Sequence, residues 1–240
     1  ADRGADLVVT ARSEDRLEAL ATALRETHGV AVTVVTADLA RAEAADELAA
    51  AVAERGLTVD TLVNNAGVPV YGEFATDDPA AHDDLVALNV ATPTALTRRF
   101  VGGMCERGDG RVLNVASVAG VVPTPGASTY AASKAYLLSF SVGLAAEVAD
   151  DGVTVTALCP RETDTGFMER GGVEESGLSG VDAADPAAVA RAGYEGLLAG
   201  ERVVVPDPKA TALFELPRLL PWTWRARVAG DYWAGDDGEG

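Results

Sequence analysis

Lysine, histidine, cysteine and methionine are nearly absent: each occurs twice in 240 residues. Aromatic residues make up only 5%. Cys105 and Cys159 supply neither a disulfide framework nor metal-ligand spacing. His28 and His82 are too few and too scattered for a histidine-based metal site, and both read as surface residues on helices. The longest apolar runs fall far short of the roughly 18 residues a membrane span requires. No signal-peptide pattern opens the chain, so the expected location is the cytoplasm. Positive charge is scarce as well. Nineteen Lys and Arg face 37 Asp and Glu, for a net charge of -18. That balance excludes nucleic acid as a partner, because phosphate binding wants a basic face. The acidity is spread along the chain. With abundant alanine and scarce lysine it points to a halophilic protein, working where salt screens self-repulsion.

What remains is ordinary globular material. Apolar residues form 48% and charged residues 23%, and the chain is long enough to bury a real core. Short Val-rich runs alternate with amphipathic segments. "LVVTA" (7–11) reads as a buried strand, followed by a helix that Ser13 can cap and Gly29 ends. "VAVTVVTADL" is the second strand, and "RAEAADELAAAVAERG" the second helix. "DTLVNNAG" is the third strand, and residues 78–107 form one long helix. "GRVLNVAS" is the fourth strand, 127–150 the next helix, and "VTVTALCP" the fifth strand. Residues 161–184 have no clear period and read as either a lid or a disordered loop. Asp185 and Pro186 start another helix, and "RVVVP" is the last strand. Helices between doubly buried strands imply an α/β fold with a doubly wound parallel sheet.

One of the two lysines, Lys134, stands four places after Tyr130 in "YAASK". On a helix this spacing puts both side chains on one face. A neighbouring cation favours the phenolate, so the pair is expected to form a tunable proton donor and acceptor. Ser117 follows the fourth strand at its carboxyl end, where ligands bind in open parallel sheets. Asn89 is an amide among apolar neighbours in the long helix. "LVNNAG" ends the third strand in a glycine-containing loop.

"NNAG", "LNV", "NVASVAG" and "YAASK" together resemble the short-chain dehydrogenase/reductase family over nearly the whole chain. The resemblance implies a single Rossmann-like domain with Asn89, Ser117, Tyr130 and Lys134 as catalytic tetrad. Tyr130 would move the proton at the carbonyl or alcohol oxygen, and Ser117 would bond that oxygen. Lys134 would hold the cofactor ribose and lower the tyrosine pKa, and Asn89 would bind a relay water. The cofactor would also meet Asp38 and Leu39 after the second strand, then Asn65, Ala66 and Gly67. Pro160, Thr163 and Thr165 would lie along its nicotinamide and diphosphate. Where family members that prefer NAD carry an acid, this chain has Ala11, then Arg12 and Ser13. Arg12 can pair with a 2′-phosphate, so NADP(H) is the expected cofactor.

The implied function is an NADP(H)-dependent oxidoreductase interconverting a ketone and a secondary alcohol. The alternative is a non-catalytic nucleotide-binding or regulatory protein on the same fold. No metal is implied, and a homo-oligomer, dimer or tetramer, is expected. Two departures stand out. Arg161 replaces the glycine that follows the "CP" proline in the family, and can reach a phosphate or an acidic substrate. The family's first strand and TGxxxGxG turn would precede Ala1, so the resemblance implies an N-terminal truncation and an interrupted sheet centre. Residues 1–208 are expected to form the domain. Residues 209–240 form an aromatic and basic extension, whose 209–230 stretch reads as a pocket wall, a subunit contact or a membrane-surface helix.

Overall fold

The structure is a computed structural model, and it describes residues 1–163 and 183–233. Strands β1 (Leu7–Ala11), β2 (Val32–Thr36), β3 (Thr61–Asn64), β4 (Gly110–Val115), β5 (Val153–Leu158) and β6 (Val203–Val204) pair in parallel throughout. Helices α1 (Glu14–His28), α2 (Ala44–Glu54), α3 (Pro79–Val86), α4 (Thr92–Arg107), α5 (Ser128–Glu147), α6 (Pro186–Ala199), α7 (Pro208–Glu215) and α8 (Trp222–Trp233) connect or follow them.

Both faces of the sheet are covered, which is why the strands read as continuous apolar runs. Val112 and Val155 pack toward α4 and α5, against Met104, Ala145 and Val148. Leu113 and Leu158 point the other way, against Val189 and Leu197 of α6. The helix ends follow their local chemistry. Glu14 and Asp15 open α1, Arg25 and His28 close it, and Gly29 at φ 68° returns its N–H to Arg25 O. Asp185 caps α6 through the Ala187 and Ala188 amides, with Pro186 in the first turn.

Hydrogen bonding across the sheet is interrupted between β1 and β3. The strands form a β1-β2 pair and a separate β3-β4-β5-β6 sheet. Val8 of β1 and Leu62 of β3 still pack on one shared cluster around Leu39, Leu48 and Leu96. Val63 of β3 is 50% exposed, unusual for a strand valine in a doubly covered sheet.

The expected helix over 78–107 is present, with a π-helical turn, Ala87–Ala91, between α3 and α4. Three expectations need correction. Ser13 occupies the position before α1 but makes no side-chain capping bond. His82 is not a surface residue, with its side chain only 16% exposed. The 209–230 stretch is not one helix. Pro217 starts a short 3₁₀ turn and Pro221 precedes α8, because proline cannot continue the preceding helix. Within it Ala210 and Phe214 are buried, while Trp222 and Trp224 are 58% and 63% exposed. Arg225 turns inward to the carbonyls of Val121, Leu220 and Arg218. Arg218 pairs with Glu215. Two of the segment's cations are thus committed to the fold. No described helix is long and apolar enough to cross a membrane.

Candidate active site

The carboxyl ends of the strands carry the expected site residues within the described chain other than Asn89, Tyr130 and Lys134, which lie on helices. Arg12 and Ser13 follow β1, Asp38 and Leu39 follow β2, and Asn65, Ala66 and Gly67 follow β3. Ser117 follows β4, and Pro160 and Thr163 follow β5. Thr165 lies outside the described residues. This clustering is the geometry that open parallel sheets offer a ligand.

Asn89 sits on the π turn and is 2% exposed. A π turn inserts one extra residue, which redirects a side chain without ending the helix. The Asn89 amide uses this to clamp the loop after β3. Its Oδ1 accepts from the Val68 N–H at 2.9 Å, and its Nδ2 donates to Val68 O at 3.0 Å and Ser133 Oγ at 3.2 Å. Gly67, one residue earlier, is pressed into the same corner. A Cβ there would lie 3.1 Å from Asn89 Oδ1 and 3.8 Å from Lys134 Nζ.

Tyr130 and Lys134 project from one face of α5, with Lys134 Nζ 5.7 Å from the centroid of the phenol ring. The Lys134 side chain is buried, and its one hydrogen bond among the described residues runs to Val115 O at 2.8 Å. An ammonium has three donors, so this cation fits the hydroxyl pair of a ribose. Burial lowers its pKa to about 8, and only the adjacent Cys159 opposes that. Burial likewise pushes the Tyr130 phenol up to about 12, opposed by its hydrogen bond with Ser117. In this structure burial sets the direction, and it favours the neutral phenol.

Ser117 is extended at φ -174°, and its Oγ accepts from the Ala119 N–H at 3.1 Å. Arg161, expected to reach a phosphate or an acidic substrate, directs its Nε to the Asp207 carboxylate at 3.2 and 3.3 Å. Asp207 in turn caps α7 through the Ala210 N–H at 2.8 Å. Arg12 and Ser13 are exposed at the mouth of the site, and no ion pair or hydrogen bond is seen for either side chain among the described residues. No group of three or more His, Cys, Asp or Glu side chains among the described residues could hold a metal ion.

Sequence reasoning missed two features. Asn114, fully buried, bridges Asn64 Nδ2 at 2.8 Å and Ser141 Oγ at 2.8 Å, joining β3, β4 and α5 under the site. An asparagine inside the apolar run "RVLNV" was the available signal. Tyr71 faces Tyr130, ring centroids 6.1 Å apart, and burial raises its phenol pKa further, aided by Tyr130 and Glu162. Nothing in its local sequence marks it.

The chain belongs to the short chain dehydrogenase family, whose model matches residues 1–175. Among curated relatives, a very-long-chain 3-oxoacyl-CoA reductase of Anas platyrhynchos is 35% identical over 165 residues, 67% of this chain. The chain spans about half of that relative's length, 52%. Among solved structures, a short-chain dehydrogenase from Sphingobium yanoikuyae in complex with NADPH superposes with a TM-score of 0.81 at 31% identity. That match covers 90% of this chain and 83% of the other. A bulky-bulky ketone specific alcohol dehydrogenase from Comamonas testosteroni gives a TM-score of 0.76 at 29% identity, covering 91% and 84%.

Proposed function

We propose that the chain is an NADP(H)-dependent oxidoreductase that interconverts a ketone and a secondary alcohol. The observation that carries this is one wall of the site: a neutral Tyr130 phenol hydrogen-bonded by Ser117, with the buried Lys134 ammonium on the same helix face.

The cofactor fits the donors present. Lys134 would hold the ribose hydroxyls, with Asn65, Ala66 and Gly67 as the floor and Pro160, Thr163 and Thr165 along the nicotinamide side. Asp38 and Leu39 would flank the adenine. Arg12 and Ser13 would take a 2′-phosphate, since both side chains are exposed and no carboxylate stands at Ala11 to repel it. Bound cofactor supplies or accepts the hydride. Ser117 would orient the substrate oxygen, and Tyr130 would give it a proton in reduction or take one in oxidation. Burial keeps the phenol in its protonated form. Asn89 keeps the loop after β3 in place and would hold a relay water beside it. The NADPH and ketone named for the two solved relatives agree with this reading. Tyr136 and Phe140, stacked at 5.9 Å on α5 with Tyr136 39% exposed, suit a contact with a second copy in a homo-oligomer.

The test is a panel of ketones and secondary alcohols assayed with NADPH and NADH, alongside cofactor titration. Turnover that prefers NADPH is expected. Tight NADPH binding with no turnover across the panel would leave the chain a non-catalytic dinucleotide binder.

A further inference from the structure

Asp77, His82 and Thr129 form a line of polar contacts that the proposed reaction does not use. His82 Nδ1 lies 3.0 Å from Thr129 Oγ1. On the other side of the ring, Nε2 faces Asp77 Oδ2 at 3.5 Å. Those two atoms are buried, and neither has a hydrogen-bond partner among the described residues. Phe74 covers the imidazole edge-on, with centroids 5.0 Å apart at 62°. The tautomer follows from the neighbours. A proton on Nε2 is aimed at the carboxylate and leaves Nδ1 to accept from the threonine hydroxyl. The reverse tautomer would leave a lone pair facing the buried Asp77 Oδ2, which is costly.

Both ends of this line lead to the reacting phenol. Thr129 is the residue before Tyr130. At the other end the Asp77 carboxylate lies on Gly72, where a Cβ would fall 2.4 Å from Oδ1. Gly72 has φ +150°, and its N–H donates to Gly126 O at 2.8 Å. The preceding residue is Tyr71, whose ring faces Tyr130. The contacts therefore close a ring through Tyr130, Thr129, His82, Asp77, Gly72 and Tyr71.

Among the described residues, one backbone hydrogen bond, from Gly72 to Gly126, ties the 71–77 segment to a distant part of the chain. Its other backbone bonds are local ones, from the Thr76 and Asp77 amides to Glu73 O. Segments with few anchoring contacts open easily. His82 is the side chain that links this segment to α3 and α5 together. Its nitrogens point at Asp77 and Thr129, not at the phenol, so any effect on the reaction runs through position.

We propose that His82 is a positioning residue: it fastens the 71–77 segment to the first turn of α5, and so fixes Tyr71 as the wall that holds a ketone against the Tyr130 phenol. This rests on the ketone and alcohol reading of the site. It adds to that reading a determinant of substrate affinity outside the four expected catalytic residues.

Two measurements test it on the full chain. The first is amide hydrogen exchange over residues 70–77, which needs no turnover. His82→Leu and Thr129→Val should each speed exchange there by about tenfold, the worth of roughly one lost hydrogen bond. Thr129→Val is nearly isosteric and keeps the test alive should His82→Leu fail to fold. The second is steady-state kinetics with a ketone that the parent reduces. Both variants should raise KM for the ketone several-fold, with kcat and the NADPH Kd close to the parent's. His82→Asn, which keeps a hydrogen-bonding group near the Nδ1 position, should recover much of the lost affinity. Unchanged exchange in both variants would overturn the proposal. So would faster exchange with an unchanged KM, or a fall in kcat alone. A parent that reduces no ketone would refute the reading of function, and the exchange result would still decide whether His82 is the anchor.

Discussion

Lys134 Nζ stands 5.7 Å from the centre of the Tyr130 ring, yet its hydrogen bond goes to a backbone carbonyl, Val115 O, at 2.8 Å. The ammonium and the phenol share a helix face. Burial governs both groups, raising the tyrosine to about 12 and lowering the lysine to about 8. The two side chains are thus separable by mutation, one proposed to carry the proton and the other to hold the cofactor.

Tyr130→Phe should therefore lower kcat by about 10²- to 10⁴-fold, the usual worth of a positioned acid or base. The ring still packs and Lys134 is untouched, so NADPH binding should stay near the parent value. Turnover assays beside a fluorescence titration of NADPH check this. Activity near the parent level would remove Tyr130 from the reaction.

Lys134→Met should do the opposite to stability. The folded-state pKa of Lys134 is depressed from 10.5 to about 8. Between those values the unfolded chain binds more protons than the folded one, so stability rises with pH across that window and is lowest below pH 8. Removing the charge should stabilise the cofactor-free chain at pH 7 by up to about 3 kcal/mol, and should flatten the dependence above pH 8. NADPH affinity should fall in the same variant. Urea melts at pH 7 and pH 10, with and without NADPH, read both effects. A variant less stable at both pH values would show that the ammonium is a net support of the fold.

Much of this site was legible because it depends on local spacing and strand ends. The four-residue step from Tyr130 to Lys134 fixes a shared helix face, and Ser117 falls at a strand's carboxyl end whatever the tertiary details. The strands were found for a similar reason, since burial on both faces leaves continuous apolar runs. The π turn at Asn89 was not legible, because it changes no residue type. Tyr71 and His82 escaped because their surroundings are assembled from distant segments: His82 meets Thr129 across 47 positions.

Arg12→Ala should shift cofactor choice. Losing a hydrogen bond to a charged group costs about 1.5–3 kcal/mol, so the affinity for NADPH should fall by roughly 10- to 150-fold. NADH has no 2′-phosphate and should be nearly unaffected. The ratio of kcat/KM for the two cofactors is the measurement. Equal losses for both would place Arg12 elsewhere than at a phosphate.

The last expectation concerns salt. The chain carries 37 acidic residues against 19 Lys and Arg. Ion pairs such as Arg99–Asp46 and those of Arg41 with Glu43 and Glu47 are solvent-exposed. Exposed pairs contribute about 0–1 kcal/mol each, and salt weakens them. Unpaired acids repel one another, and salt weakens that too. With a net charge of -18 the repulsion is the larger sum. KCl should therefore raise Tm, and most of the rise should be complete by about 1 M, where the Debye length has shrunk to about 3 Å. A rise that continues in proportion to salt beyond that point would come from strengthened apolar burial instead. Thermal melts from 0.05 to 3 M KCl separate the two. A Tm that falls with the first additions of salt would mean that the surface ion pairs outweigh the excess acid, and the reading of a high-salt protein would fail.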